Sequence, residues 1–186
     1  LEALMRGGMS NGTPVDFSHG DVDAFPPTPG AAEAWNKGFE LGGRQAYTEY
    51  RGAEAIRTVL AQRLAAFTGK PVSDDRELII TPGTQGALFL ALGATVTTGT
   101  KVAVVETDYF ANRKLVQFVG GQVVPIALTY KGAKGENGPD LAQLKTSFKT
   151  GTEVLVFSTP NNPTGVVYSA QDIAAIAGLA ARYGAT

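Results

Sequence analysis

The sequence predicts an α/β fold with three layers, in which a mostly parallel sheet carries helices on both faces. Segments of strand length alternate with segments whose apolar residues recur at helical spacing, and this order favours parallel strands joined by helices. Residues 101–105 are almost continuously apolar, as expected for a strand covered on both faces. The 186 residues, of which 44% are hydrophobic, are sufficient for one domain or a large piece of one.

The predicted elements follow one another in an order that supports this fold. Residues 1–46 are rich in glycine, proline and aspartate and predict an extended arm. Apolar residues at helical spacing predict a helix over residues 54–67, with Gly69 as its stop signal. Asp140 and Ser169 are candidate N-caps of two later helices. The remaining predictions are strands at 77–81, 122–128 and 153–157, helices at 85–96, 111–119, 141–148 and 169–183, and a polar loop at 130–138.

Composition excludes several classes of function. The net charge of −1 provides no basic surface for nucleic acid and no polybasic patch for a membrane. There are no cysteines, so neither a disulfide framework nor a thiolate metal site is possible, and a cytoplasmic location is favoured. His19 is the only histidine, and any Ser-His-Asp triad would have to use it. An organic cofactor is therefore the expected source of chemical reactivity.

Residues 159–165 read Thr-Pro-Asn-Asn-Pro-Thr-Gly and lie between a predicted strand and a predicted helix. Asn, Pro and Gly dominate ordinary turns for backbone reasons, so a plain turn is one interpretation. The segment resembles the signature of the class I/II aminotransferases of fold type I, which depend on pyridoxal 5'-phosphate (PLP), except that Thr159 replaces an Asn. In that family the Asn of the Asn-Pro-Thr-Gly turn donates a hydrogen bond to the phenolic oxygen of the cofactor. The resemblance thus implies that Asn162 binds cofactor and substrate.

A second turn, residues 81–88, joins a predicted strand to a predicted helix. Its glycines allow close approach of an anion, and the first amides of a helix are unpaired and lie at the positive end of the helix dipole. Such turns are also common where no ligand binds. This one resembles the phosphate-binding turn of the same family, which implies that Gly83, Thr84 and Gln85 hold the PLP phosphate.

Two aromatic positions match the family as well. Tyr109 corresponds to the aromatic residue that stacks on the pyridine ring, with Phe110 as the alternative, although Thr107 stands where the family often has Pro. An aromatic core residue that starts a helix is the plain interpretation. Tyr47, or alternatively Tyr50, resembles the tyrosine that reaches across a homodimer to the partner's PLP phosphate.

The resemblance extends from about residue 15 to 186 and corresponds to the N-terminal half of an aminotransferase. It implies that residues 1–46 are an arm and a small-domain segment, and that residues 47–186 are the N-terminal part of the PLP-binding large domain. Gly20 would approach the substrate carboxylate, and His19 would either contact substrate or be exposed. The Schiff-base lysine and the Asp that pairs with the pyridine nitrogen are expected beyond Thr186. No catalytic residue is therefore assigned in this chain, which is expected to be inactive alone.

The implied reaction transfers an amino group between an amino acid and a 2-oxo acid through PLP and pyridoxamine phosphate. Carbon–sulfur lyases and cyclopropane-carboxylate synthases share the same turns, so they remain an alternative. A third alternative is the aminotransferase-like effector domain of a transcription regulator. Such regulators carry a basic helix-turn-helix upstream, and none is visible in this sequence.

Overall fold

The computed structural model describes residues 25–41, 47, 49–130 and 137–186. Its backbone contacts divide the chain into two units, Leu1–Thr48 and Glu49–Thr186. The first unit contains helix α1 (Ala31–Leu41), which follows irregular backbone at residues 25–30. Three prolines, at positions 26, 27 and 29, account for the irregular segment because each fixes φ and removes an amide donor.

The second unit contains a four-stranded sheet and five helices among its described residues. The helices are α2 (Glu54–Thr68), α3 (Gly83–Thr95), α4 (Phe110–Phe118), α5 (Leu141–Lys149) and α6 (Ala170–Tyr183). The strands are β1 (Lys101–Glu106), β2 (Gln122–Thr129), β3 (Gly138–Pro139) and β4 (Thr152–Val156). Their spatial order is β3-β2-β1-β4; β1 pairs in parallel with both β2 and β4, and β3 is antiparallel to β2. The prediction of a mostly parallel sheet is confirmed.

Helices cover both faces of the sheet, so the predicted three layers are also confirmed. Side chains of β1 alternate between two apolar clusters. On one face the cluster includes residues of α3 and α4: Leu92, Val96, Val102, Val104, Val116, Val154 and Val156. On the other face it includes residues of α5 and α6: Ala103, Val105, Ile126, Leu144, Phe148, Val166, Tyr168 and Ile176. Each fully buried valine or leucine contributes roughly 1.5–3 kcal/mol, so β1 is stabilised from both sides.

The predicted helix ends are confirmed where a local side chain or glycine defines them. Asp140 accepts hydrogen bonds from the amides of Ala142 and Gln143, both at 2.9 Å. Ser169 and Asp172 form a reciprocal capping box at the start of α6. Gly69 ends α2 in the left-handed conformation, with φ of 68°.

The strand predicted over residues 77–81 is wrong, because these residues form irregular backbone. Within the described part of the chain no strand pairs with them. The amide of Ile80 donates a hydrogen bond of 2.9 Å to the carbonyl of Arg51. The prediction of a polar loop over residues 130–138 is also wrong at its last residue, since Gly138 belongs to β3 and pairs with Thr129 of β2.

Candidate cofactor site

The carboxyl ends of β1 and β4 lie side by side and define the candidate site. Val104 of β1 pairs with Val156 of β4 in parallel register. The loops that follow, residues 107–109 and 157–165, therefore leave the sheet at the same edge. In open α/β sheets, ligands bind in the crevice outside the carboxyl ends of the strands.

Asn161 closes the loop after β4 and ties it to the loop after β1. This residue is buried, with 2% of its surface exposed. Its Oδ1 accepts a hydrogen bond of 2.5 Å from the hydroxyl of Thr164, and its carbonyl accepts one of 2.7 Å from the amide of Gly165. Its Nδ2 donates to the carbonyl of Thr107 at 3.0 Å. The Asn-Pro-Thr-Gly segment is thus a fixed turn attached to the end of β1.

Asp108 forms a second connection between the same two loops. Its Oδ1 accepts a hydrogen bond of 2.6 Å from the Ser158 hydroxyl, and its Oδ2 accepts one of 3.0 Å from the Ser158 amide. The amide of Tyr109 also donates to Oδ1, at 2.6 Å. The Ser158 hydroxyl in turn accepts a hydrogen bond of 3.3 Å from the backbone amide of Asn162. Tyr109 and Asn162 are therefore joined through Asp108 and Ser158.

The two predicted cofactor-binding side chains at this edge are accessible. Asn162 is exposed, and within the described residues its side-chain amide has no hydrogen-bond partner. Tyr109 is half-buried and lies at the N-terminus of α4. Its ring centroid is 4.7 Å from that of Phe110, whose side chain is 63% exposed. The edge thus offers one amide group and an aromatic pair to a ligand.

The start of α3 leaves backbone amides unpaired. Gly83 has φ of 71°, a conformation that favours glycine, and its amide donates to the carbonyl of Thr81 at 2.8 Å. The helix has no side-chain cap, and the amides of Thr84 and Gln85 find no acceptor in the described portion of the chain. A Cβ at Gly86 would lie 3.0 Å from the Pro82 ring. A larger residue at position 86 would therefore require the Pro82 ring to shift by a few tenths of an ångström.

A cavity of about 230 Å³ is lined by residues of α3 and of the end of β4, which therefore lie side by side. Leu88 and Leu92 of α3 line it together with Phe157, which directly precedes Ser158. Leu88 lies one helical turn after Thr84. The unpaired amides therefore belong to the helix that packs next to this edge of the sheet.

A second cavity, of about 400 Å³, adjoins Tyr109 at the end of β1. Its walls carry two carboxylates, Glu106 and Asp108, and two cations, Arg113 and Lys114. Arg113 forms an ion pair with Glu106, and the Lys114 ammonium lies 5.2 Å from the centre of the Phe110 ring. The cavity surface is thus charged but close to electrically balanced.

Tyr168 lies beneath the site in the apolar cluster next to α5 and α6. Burial, and secondarily the negative charges of Asp108 and Asp172, raise the pKa of Tyr168 to about 12. Among the described residues its hydroxyl has no hydrogen-bond partner, and its ring stacks on Phe157 with centroids 5.5 Å apart. The residue is a neutral phenol at physiological pH.

The position of the remaining predicted site residues relative to this edge stays a prediction. Tyr47 is exposed and belongs to the first unit. Gly20 and His19 lie outside the described residues. Sequence reasoning missed the roles of Asp108, Ser158 and Asn161. The available signal was the position of polar residues directly after two buried strands, which parallel pairing brings to one edge.

The described residues contain no group of three or more His, Cys, Asp or Glu side chains able to hold a metal ion. None of the described helices combines the length and apolar character needed to cross a bilayer.

Solved structures of known proteins share this fold. The chain superimposes on the crystal structure of an aspartate aminotransferase from Rhodobacter sphaeroides with a TM-score of 0.88 and 62% sequence identity, over 100% of this chain and 48% of that one. An aspartate aminotransferase from Thermus thermophilus with maleate gives a TM-score of 0.79 at 27% identity, over 90% of this chain and 42% of the other.

Sequence comparison leads to the same family. The chain is 29% identical to an aspartate aminotransferase from Sulfolobus acidocaldarius, over 86% of this chain and 39% of the relative. It is also 29% identical to human kynurenine–oxoglutarate transaminase 1, over 89% of this chain and 41% of the relative. The chain spans less than half of the length of these proteins. The family profile "Aminotransferase class I and II" matches residues 13–186. With its mostly parallel sheet and its Asn-Pro-Thr-Gly turn at the sheet edge, the chain belongs to the class I and II aminotransferase family.

Proposed function

We propose that the full-length protein containing this chain is a PLP-dependent aminotransferase that moves an amino group between an amino acid and a 2-oxo acid. The observation that carries the proposal is the connection of Tyr109 to Asn162 at the edge shared by β1 and β4. This connection brings an aromatic face and an accessible amide donor to the place where α/β sheets bind ligands.

The residues present fit PLP in their donor chemistry. The unpaired amides of Thr84 and Gln85, with Gly83 shaping the turn, suit a phosphate group at a helix N-terminus. The half-buried ring of Tyr109 suits a flat pyridine ring. The exposed amide of Asn162 suits a phenolic oxygen.

Further contacts are proposed from the family resemblance. Tyr47 of the partner subunit would hydrogen-bond the PLP phosphate in a homodimer, and Gly20 and Asn162 would contact the substrate. In this assignment residues 1–46 form the arm and small-domain segment, and residues 47–186 form the N-terminal part of the PLP-binding domain.

The chain's own residues bind and orient the cofactor. When bound, PLP supplies an electron sink for the carbon that carries the amino group. A hydrogen bond from Asn162 would favour the ionised form of the phenolic oxygen, and the ring of Tyr109 would exclude water from the bound cofactor. The Schiff-base lysine and the Asp for the ring nitrogen are proposed to lie outside residues 1–186, so no residue of this chain is assigned a catalytic role.

Aspartate is the first amino donor to test, because two of the structures above and one sequence relative are named aspartate aminotransferases. The full-length protein is incubated with PLP, aspartate and a 2-oxo acid, and the new amino acid is quantified. We expect product only when the 2-oxo acid is present. Consumption of more amino acid than the PLP present, without an acceptor, would instead support a lyase.

An Asn162→Ala variant tests the assigned site. We expect weaker PLP binding, measured by titration of the apoprotein, and an unchanged thermal midpoint of the apoprotein. Gln171→Ala, an exposed amide on α6, is the matched control and should leave both quantities unchanged. A full-length wild-type protein that does not bind PLP would refute the proposed function.

A further inference from the structure

The carboxylate of Asp108 accepts three hydrogen bonds, and their donors belong to Ser158 and Tyr109. The donors are the Ser158 hydroxyl at 2.6 Å, the Ser158 amide at 3.0 Å and the Tyr109 amide at 2.6 Å. Asp108 and Ser158 are 50 positions apart in the sequence, so this contact is tertiary. One side chain thus fixes Tyr109, directly before α4, and Ser158, two residues after the end of β4.

Ser158 extends the connection to Asn162. A serine hydroxyl has one proton to donate and two lone pairs to accept with. Its proton is directed to Asp108, because an ionised carboxylate is only an acceptor. A lone pair of the hydroxyl is then free to accept the Asn162 amide at 3.3 Å. The order of donors runs from Asn162 through Ser158 to Asp108.

The negative charge of Asp108 matters for this arrangement. In the described part of the chain no Lys or Arg forms an ion pair with it, so the three donors provide its stabilisation. Hydrogen bonds to a charged acceptor are shorter and stronger than those between neutral groups. An Asn at this position would turn an NH2 group toward the N–H or O–H donors and break at least one bond.

We propose that Asp108 is a positioning residue of the cofactor site, which acts through Ser158 to hold Tyr109 and Asn162 in one fixed arrangement. This inference rests on the proposed function, since it assigns a purpose to the spacing of two cofactor-binding residues. Asp108 itself does not touch the cofactor in this assignment. Because Asp108 holds Tyr109 and Asn162 in place before the cofactor binds, less conformational entropy is lost on binding, and the affinity for the cofactor increases.

A second tie between the loops makes the proposal testable. The Asn161 amide also joins the loop after β4 to the carbonyl of Thr107, at 3.0 Å. Loss of the Asp108 contact therefore leaves the two loops connected, and the variants are expected to fold. The expected change lies in cofactor binding rather than in stability.

The experiment compares three variants of the full-length protein: Asp108→Asn, Ser158→Ala and, as control, Glu153→Gln. Glu153 is an exposed carboxylate on β4 and is separate from the connection. Apoprotein is titrated with PLP, the circular dichroism of the bound cofactor is recorded, and the thermal midpoint of each apoprotein is measured.

We expect Asp108→Asn and Ser158→Ala each to weaken PLP binding by about 10- to 100-fold, the factor that corresponds to a lost hydrogen bond to a charged group. Both should alter the circular dichroism of the bound cofactor. Glu153→Gln should match the wild type. Should Asp108→Asn fail to fold, Ser158→Ala alone decides the question.

Unchanged PLP affinity and dichroism in the variants would overturn the positioning role while leaving the proposed function intact. Affinity that falls only in proportion to the thermal midpoint would also overturn it, since that would indicate a general structural role. A wild-type apoprotein that does not bind PLP would overturn both proposals.

Discussion

The side-chain amide of Asn161 donates a hydrogen bond to the backbone carbonyl of Thr107 at 3.0 Å, which joins the loops that follow two neighbouring strands. Its neighbour Asn162 is exposed and has no such role. Two adjacent asparagines in the same turn thus serve different purposes: Asn161 stabilises the turn, and Asn162 is the proposed ligand for the cofactor.

Replacing Asn161 with Ala should lower the stability of the full-length apoprotein by about 2–4 kcal/mol. The change removes three side-chain hydrogen bonds, one to the carbonyl of Thr107 and two from the hydroxyl and the amide of Thr164. Urea denaturation followed by far-UV circular dichroism measures the effect. Asn162→Ala is the matched control, with an expected change within about 0.5 kcal/mol. Equal effects of the two substitutions would contradict the division of roles.

Gly52→Ala should destabilise the protein more than Gly151→Ala. Both glycines have φ of 91°, so both substitutions place a side chain in a left-handed conformation that costs roughly 1–2 kcal/mol. Only Gly52 faces an obstacle, because an added Cβ would lie 2.6 Å from the Cβ of Ile80. A Cβ at Gly151 would meet nothing within 4 Å.

Urea denaturation of the two glycine variants measures the difference, which we expect to be about 1–3 kcal/mol from overpacking. A double variant, Gly52→Ala with Ile80→Ala, should be less destabilised than the sum of its single changes, because the second substitution removes the obstructing atoms. Strict additivity would show that the contact with Ile80 does not determine the cost.

Tyr168 should make the stability of the protein fall between pH 10 and pH 12. Below pH 10 the phenol is protonated in both the folded and the unfolded chain. As the pH rises from 10 to 12, the unfolded chain loses this proton while the folded chain retains it, since the folded pKa is about 12. The free energy of unfolding then decreases by about 2–3 kcal/mol, the equivalent of that difference in pKa.

The measurement is the wild-type free energy of unfolding minus that of Tyr168→Phe, taken across this pH range so that the other tyrosines cancel. At neutral pH the Phe variant should be as stable as the wild type or more stable by about 1 kcal/mol, because it removes a buried hydroxyl that has no partner within the described residues. A pH-independent difference would contradict the assignment.

Elements with local signals were predictable from the sequence. The strand at residues 101–105 was recognised because its apolar run is continuous, and the structure extends it by one residue to Glu106. The caps at Asp140 and Ser169 were recognised because each side chain bonds to amides two or three positions ahead. Such contacts depend on sequence neighbours alone.

The failures involve contacts between distant parts of the chain. Residues 77–81 have the composition of a strand, but a strand also needs a neighbour, and the described residues supply none. The pairing of Asp108 with Ser158 depends on the register of β1 against β4, which periodicity does not determine. The sequence therefore indicated where the site lies but not how its two loops are held together.

The position of β1, paired on both edges and packed on both faces, has a consequence for protection against solvent. Four of its six residues are buried, and its amides lie between β2 and β4. Regions of this kind open only with the cooperative unit that contains them. In deuterated solvent the amides of β1 should exchange last, while those of residues 77–81 exchange early. The loop of residues 107–109, which carries Tyr109, would then follow directly from the most slowly exchanging segment of the described fold. The loop could adjust to a ligand while β1 keeps its hydrogen bonds.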